Sequence, residues 1–582
     1  MANKIYKGIS VSEGIRIGKA FFYKPFCAKI TSDGITEDNV KSELSRFSNA
    51  VLKAKEELSE LIDNIEKTEN KDKSGVIKGQ LGFLSDPAFL PEITRLIEKK
   101  LYKAEKAVLE VSEKFAVMFE NMKNSYMRER AADIRDTASR LIRILNGGSN
   151  CNTLAEISDE IILFAEDLSP TDTISLNKEK VLAFVTYKGG KTSHTAIFAK
   201  SMGIPAIVGA GEVSGNFCDG DTVIVDAVLG ICIVNPDDAT IAEYKSKINI
   251  ENQKQQFLLN YSNKPSFTSD GERIIIAANI GSYKDAEFSL SQGADAAGLL
   301  RTELLYLSES ELPDEEKQFE QYKSIASLFS PKEVIVRTLD IGGDKEVPYL
   351  KIPKEDNPFL GYRAIRLCLE QQELFLAQLR AILRASAFGK LKIMFPMISS
   401  IEELLKAKKL LKKAKAQLDA DNYAYDKGIQ VGMMIEVPSA AVTADIFAQE
   451  VDFFSIGTND LIQYTLACDR GNEKISYLYD FCSPAVIRLI DGTVQSAKKN
   501  KIQIGMCGGM AGDPIAIPLL IGMGFDELSM ASASIAEAKY IVSSVRKADC
   551  QKLRDEVLKC SSAKEIRDVL NEFNALNKLT SS

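Results

Sequence analysis

Eight short apolar runs between residues 273 and 532 constrain this chain more than any other feature. In order they are RIIIAANIG, AAGLLRTE, EVIVRTLDIGG, KLKIMFPMI, IQVGMMIEVPSA, DFFSIGTND, IQIGMCGGM and DELSMAS. Each is long enough for one strand, ends in polar residues and leads into a helical stretch. Eight such units predict a closed (β/α)8 barrel of the TIM type, in which reactive groups stand at the carboxyl ends of the strands. The polar residues closing the runs are Asn279, Arg301, Arg337, Glu436, Asn459 with Asp460, and Cys507. A strand that only builds a wall has little reason to end in Arg or Glu, so several together predict a site.

The chain has 582 residues, too many for one core, so the barrel accounts for only part of it. Residues 4–24 alternate short apolar pieces with glycine, as strands and turns do. From Thr36, a candidate helix cap, apolar residues fall at Val40, Leu44, Phe47, Val51, Ala54, Leu58, Leu61 and Ile65. That spacing marks an amphipathic helix, and a second long helical pattern from Ala104 to Leu145 can return antiparallel to it. Near residue 151 the texture turns α/β, with EIILFA, VLAFVT and DTVIVDAVLGICIVNP as strands. The expected organisation is multidomain α/β. An α/β domain spans 1–29 and 147–236, interrupted by an all-α bundle over 30–146. A linker helix over 237–265 ends at the breakers SNKPSFTSDG, a flexible joint, and the barrel fills 266–582.

The overall balance is ordinary for a globular protein: 45% hydrophobic, 26% charged, net charge -8 from 81 acids and 73 bases. No basic run stands out, which argues against a nucleic-acid partner. Ten cysteines are scattered without a CxxC pair, as in a reducing cytoplasm. No leader pattern opens the chain and no stretch approaches the roughly 20 apolar residues of a membrane span, so membrane insertion is not expected.

The only histidine, His194, lies in GGKTSHTAIFAKSMGIPAIVG. Gly189 and Gly190 permit a tight turn, Thr192 or Ser193 can cap, and HTAIFAKSM suits a helix until Gly203 and Pro205 stop it. This puts His194 in a first helical turn, where free N–H groups attract anions. With a reference pKa of about 6.5, roughly three quarters of such imidazoles are neutral at pH 7 and can attack phosphorus. A histidine taken alone more often caps or packs; its flanks and an anion-binding barrel reverse that preference.

Arg301, Arg337, Arg363 and Arg470 suit a small, highly anionic ligand, because guanidinium forks match phosphate and carboxylate. Glu436 and Asp460 offer hard oxygen ligands for Mg²⁺ or Mn²⁺, or else pair with those arginines. Cys507, between glycines at a strand end, is a candidate proton donor, since no second imidazole exists.

These motifs, with GLLRTELLY, VRTLDIGGDK, DNPFLGYRAIR, SAFGKLKIMFPMI, DFFSIGTNDLIQYTLACDRGN and GMCGGMAGD, resemble enzyme I of the bacterial phosphotransferase system. This is the phosphoenolpyruvate–protein phosphotransferase family, and the resemblance runs almost end to end. It implies that His194 is phosphorylated through Nε2 by phosphoenolpyruvate, with Thr173 orienting it, and passes the group to a histidine of the carrier HPr. It implies that Arg301, Arg337, Asn459 and Arg470 hold the substrate, with Arg363 helping. Glu436 and Asp460 match Mg²⁺ ligands, Asp460 also bordering the substrate. Cys507 matches the acid that protonates the enolate to pyruvate. The helical insertion matches the HPr-docking part, and the barrel the homodimer contact. The absence of an added domain before residue 1 points to the sugar pathway. Two departures stand out: Lys191 replaces the family's arginine before TSH, and Gln80 stands where many relatives carry histidine. A pyruvate phosphate dikinase or phosphoenolpyruvate synthase shares the histidine and barrel but also needs a nucleotide-binding domain. A sensor that binds phosphoenolpyruvate without turnover has no need for the nucleophile or the acid.

Overall fold

The computed structural model describes residues 4–12, 14–23, 34–67, 71–120, 125–147, 159–166, 180–189, 204–211, 217–307, 311–343, 352–472 and 474–579. Residues 168, 199, 309, 345 and 347–350 are also described. The chain forms two compact units, Met1–Asn252 and Gln253–Ser582.

In the first unit, strands β1 (Lys4–Lys7), β2 (Ile9–Ser12), β3 (Ile15–Tyr23), β4 (Ile161–Ala165), β5 (Val181–Thr186), β6 (Ala206–Val208), β7 (Thr222–Asp226) and β8 (Ile231–Val234) make one mixed sheet. Its order is β1-β8-β7-β3-β4-β5-β6-β2. The central strand β4, IILFA, is apolar at every position because both faces are covered. Ile161, Leu163 and Ala165 enter one core with Phe184, while Ile162 and Phe164 enter another with Ala183 and Val185. Gly189, just past β5, has φ +102, the turn geometry expected of it.

Between β3 and β4 lie five helices: α1 (Val40–Lys67), α2 (Lys71–Phe83), α3 (Phe89–Lys100), α4 (Ala104–Glu120) and α5 (Ser125–Leu145). The long pattern from Ala104 to Leu145 is therefore two helices rather than one. They lie side by side, Ala107, Val108 and Val111 sharing a core with Ile134, Ala138 and Leu141. Asn121, Asn124 and Ser125 interrupt the pattern with residues that favour helix ends over helix interiors. Ion pairs from Arg135 to Glu113 (2.7 Å) and Glu120 (2.6 Å) fix the pairing. Thr36 occupies an N-cap position with extended backbone, but its hydroxyl makes no capping bond, and a short 3₁₀ turn (Glu37–Asn39) intervenes before α1. Gln80 is buried on α2, with Nε2 3.5 Å from Asp136 Oδ2.

A 25-residue helix, Asp238–Ser262, follows β8. In the first unit its Tyr244 packs on Ile224 and Ile233. In the second, Lys254 pairs with Glu537 at 2.9 Å, and Phe257, Tyr261 and Tyr540 pack pairwise, tilted or edge-on, with centroids 5.3 Å apart. The breaker run after it is not the free joint its composition suggests. The buried Lys539 ammonium donates to the carbonyls of Ser262 (2.9 Å), Lys264 (3.0 Å) and Gly293 (2.6 Å) and to Asp295 (2.9 Å). Four acceptors around one buried cation fasten that run to the barrel.

The barrel consists of eight parallel strands, β9 (Ile275–Ile280), β10 (Ala297–Arg301), β11 (Glu333–Arg337), β12 (Lys390–Phe395), β13 (Gln430–Ile435), β14 (Phe453–Ile456), β15 (Gln503–Met506) and β16 (Glu527–Met530). It closes where β16 pairs with β9. Leu299, Ile335, Met394, Met434, Phe453 and Cys507 cluster together, apart from the larger core beneath the surrounding helices. Among the described residues no helix is long and apolar enough to cross a membrane.

Candidate active site

The strand ends deliver their polar residues to one cavity of about 200 Å³. Arg301 and Arg337 are the last residues of β10 and β11, while Glu436 and Cys507 directly follow β13 and β15. Asn459 and Asp460 start the helix Thr458–Leu466 beyond β14. Arg363 and Arg470 reach the same cavity from loops. Asn279 is elsewhere: its amide donates to the Cys507 carbonyl (3.1 Å) and its Oδ1 accepts from Ser529 Oγ (2.8 Å), bracing the strand end inside the barrel.

The arginines do not stand alone. Asp340 receives Arg337 Nη1 at 3.0 Å and Arg363 Nη2 at 2.8 Å, with Lys345 Nζ at 3.3 Å. Glu303 binds Arg337 Nη2 and also Lys345 Nζ, the latter at 2.8 Å. Burial alone would push Asp340 upward, but Arg337, Arg363 and Lys345 hold it well below the usual carboxylate range. Glu303 is likewise lowered against its burial by Arg337 and Lys345. Both carboxylates therefore stay charged and hold three cations in place before any ligand arrives.

Sequence reading missed Glu303, Asp340 and Lys345, although Glu303 and Asp340 lie two and three residues past the strand-end Arg301 and Arg337. A carboxylate just past a strand-terminal arginine was the usable signal. Tyr464 was missed too: its hydroxyl donates to the Phe359 carbonyl (2.6 Å) and accepts from Arg363 Nη1 (3.2 Å). The rings of Phe359 and the guanidiniums of Arg363 and Arg470 lie 5.9 and 5.8 Å apart, so one aromatic face steadies both.

On the other wall, Glu436 accepts from the Met397 N–H at 2.6 Å. Burial, then the neighbouring Asp460 and Asp340, push its carboxyl up to about 8. Asp460 Oδ1 is buried without a protein partner. A Cβ at Gly457 would come within 2.9 Å of Glu436 Oε2, so this glycine is what admits the carboxylate. Two crowded carboxylates, one with an unsatisfied oxygen, fit a divalent cation that draws its other ligands from substrate and water. Among the described residues no group of three or more acidic, cysteine or histidine side chains could hold a metal alone.

Burial pushes the Cys507 thiol up to about 11, Ser455 and Arg337 moderating the rise. The thiol is thus protonated across the neutral range, as a proton donor requires. A thiolate fraction this small makes the site slow to alkylate. Iodoacetamide at pH 8 should modify the exposed Cys218 more than about 100-fold faster than Cys507, read by peptide mass mapping. His194, Lys191 and Thr173 lie outside the described residues.

Removing Asp340 takes one of two carboxylates from Arg337 and the nearest one from Arg363, both guanidiniums being buried. Asp340→Ala should lower kcat/KM for the anionic substrate roughly 100-fold, about 3 kcal/mol, in steady-state kinetics.

The chain matches the PEP-utilising enzyme PEP-binding domain over residues 255–547, the N-terminal domain over 7–130 and the mobile domain over 157–230. It is 46% identical over 560 residues to the phosphoenolpyruvate-protein phosphotransferase of Bacillus subtilis (strain 168), covering 96% of this chain and 98% of that one. The protein of the same name from Staphylococcus carnosus (strain TM300) is 44% identical, covering 98% and 99%. A solution structure of an Enzyme I protein (nEIt) is 39% identical over 42% of this chain and 99% of its own, with a TM-score of 0.39.

Proposed function

This chain belongs to the phosphoenolpyruvate–protein phosphotransferases, and from that membership we propose which of its residues carry the reaction. Phosphoenolpyruvate binds in the barrel cavity, its phosphate and carboxylate shared among Arg301, Arg337, Arg363 and Arg470, with Asn459 at the border. Glu303 and Asp340 keep Arg337, Arg363 and Lys345 oriented, so the site meets the charge of the transition state without rearranging. Glu436 and Asp460 would hold a divalent cation, Mg²⁺ or Mn²⁺. Bound there, it would neutralise charge on the transferring phosphoryl oxygens.

His194 Nε2 takes the phosphoryl group in line as the enolate oxygen leaves, with Thr173 and Lys191 supporting the imidazole. Cys507 donates its proton to C3 of the enolate, giving pyruvate and making the transfer productive. His194 then hands the group to a histidine of a separate carrier of the HPr type, docked on the helical bundle. A carrier in cis would need an imidazole that this sequence lacks. We also propose a cytoplasmic homodimer joined through the barrel, where Leu360 and Tyr477 are 64% and 78% exposed. A role in sugar uptake follows from the same reading.

One observation carries the assignment: a buried, protonated thiol opens into the same cavity as four arginines and two cation-ready carboxylates. Of the readings the sequence leaves open, the relatives' names support the protein phosphotransferase rather than a dikinase or a sensor. The test is incubation with labelled phosphoenolpyruvate and Mg²⁺ without nucleotide, followed by mass-spectrometric mapping. Acid-labile, alkali-stable label on residue 194 supports the proposal. Label elsewhere, a strict ATP requirement, or pyruvate without lasting label overturns it.

A further inference from the structure

Once Cys507 has given up its proton it is a buried thiolate, 4% exposed, and must be recharged before it can act again. The barrel interior around it is mostly apolar, but Ser455, Glu527 and Ser529 place buried polar groups in it. Ser455 on β14, Gly505 on β15 and Glu527 on β16 are register partners in one row across three adjacent strands. Gly505 has no side chain, so the residues on either side face each other over it. Strands lie about 4.8 Å apart, so Ser455 and Glu527 are roughly 10 Å apart at the backbone, and Glu527 Oε1 comes within 3.4 Å of where a Cβ on Gly505 would stand, over the glycine between them.

Both oxygens are unsatisfied. Ser455 Oγ and Glu527 Oε1 are buried without a protein hydrogen-bond partner. Ser455 lies against the Cys507 thiol and favours its thiolate, though not aligned as a hydrogen bond. On the far side, a Cβ at Gly298 would come within 2.4 Å of Glu527 Oε1 and 2.6 Å of Ser529 Oγ, so these two oxygens surround one point. Ser529 Oγ is held by Asn279, whereas Ser455 Oγ and Glu527 Oε1 have no protein partner, and buried polar atoms of that kind are where ordered water belongs.

The charges acting on the buried Glu527 lead toward the amino-terminal end of the barrel. The charged groups around it are Lys392 on β12, Glu333 on β11 and its neighbour Asp526. Lys392 Nζ reaches Gln503 Oε1 and Glu333 Oε2, both at 2.8 Å, and the Glu333 side chain is 38% exposed at the amino-terminal end of the barrel. Burial pushes the Glu527 carboxyl up to about 7, against the pull of Lys392, so it holds a proton to higher pH than an exposed carboxyl does.

We propose that Glu527 returns a proton to Cys507 after each turnover, through one buried water and the Ser455 hydroxyl. The inference rests on Cys507 being the acid of the proposed function. In the productive step the Cys507 S–H bond breaks and a C–H bond forms at C3 of the enolate. Ser455 then passes its hydroxyl proton to the thiolate and takes one from the water, which takes the carboxyl proton of Glu527. Glu527 is reprotonated from solvent at the amino-terminal end of the barrel, so one solvent proton enters per pyruvate formed. Glu527 never touches the substrate; it acts through Cys507.

The test separates carbon chemistry from proton supply. The full-length protein is held in D2O with phosphoenolpyruvate, Mg²⁺ and carbon-labelled pyruvate. Two quantities are followed: carbon exchange between pyruvate and phosphoenolpyruvate, and deuterium appearing at C3. Carbon exchange can reuse the proton already on the thiol, whereas deuterium must come from solvent. Glu527→Gln and Ser455→Ala should each keep carbon exchange within about threefold of the parent. Deuterium gained per carbon exchanged should fall at least fivefold in both. A ratio unchanged in both variants overturns the inference, since solvent then reaches the thiol through the substrate cavity. If Glu527→Gln loses carbon exchange through misfolding, Ser455→Ala decides on the same ratio. Cys507→Ala is the separate control. If it keeps both exchanges, the acid assignment itself fails; if it loses them while the other variants match the parent, only the relay fails.

Discussion

Replacing His194 with alanine should abolish transfer of label from phosphoenolpyruvate to protein, with less than about one part in a thousand remaining. The reason lies in the composition: the chain has one imidazole in 582 residues, so no neighbouring histidine can substitute. Phosphate bound to a serine or aspartate would differ in acid and alkali stability, and would be recognised at once. The cavity of the barrel is built entirely from residues 299–508, so the same variant should bind phosphoenolpyruvate with a Kd within about twofold of the parent, measured calorimetrically. Loss of binding alongside loss of label would mean that His194 supports the fold rather than the chemistry.

The second large effect concerns the thiol. Cys507→Ala should slow pyruvate formation by roughly 10²- to 10⁴-fold, the span that positioned acids contribute, with little change in ligand affinity. Two features favour the high end. Among the described residues lining the cavity, the other groups able to give a proton near neutrality are Lys345, which Glu303 and Asp340 hold, and the crowded Glu436, the proposed cation ligand. The thiol also sits where water is scarce, so bulk solvent is a poor replacement. Comparable losses in turnover and binding would argue that the sulfur only fills space. Cys507→Ser, similar in shape but a weaker acid, should fall close to the alanine variant.

Much of this architecture was legible before any coordinates. Strand periodicity gave the barrel because its walls are buried on both faces and so write continuous apolar runs, each punctuated by the polar residue that the rim exposes. The residues ending those runs, Arg301, Arg337, Glu436 and Cys507, do meet in one cavity. Asn279 obeyed the same rule yet serves as a brace, because chain position alone does not reveal which way a side chain turns. Glu303, Asp340 and Lys345 were missed for a different reason. They sit past the strand ends, where hydrophobic periodicity has stopped; a carboxylate close behind a strand-end arginine marks the first two, and for Lys345 only three-dimensional proximity shows that it belongs with them. The 104–145 pattern misled because two antiparallel helices and one long helix share the same periodicity. The breaker run after Ser262 misled because composition cannot foresee that Lys539, far along the chain, would capture its carbonyls.

The cavity draws its lining from the ends of five strands and their following loops, spread from Leu299 to Gly508. No hairpin or local segment of this barrel holds even half of the reactive constellation. A partially melted barrel therefore has nothing to bind with, and loss of phosphoenolpyruvate binding in urea should superimpose on loss of the barrel's ellipticity instead of preceding it. The enzyme is insured against leaky, half-competent forms that would squander a high-energy phosphate donor.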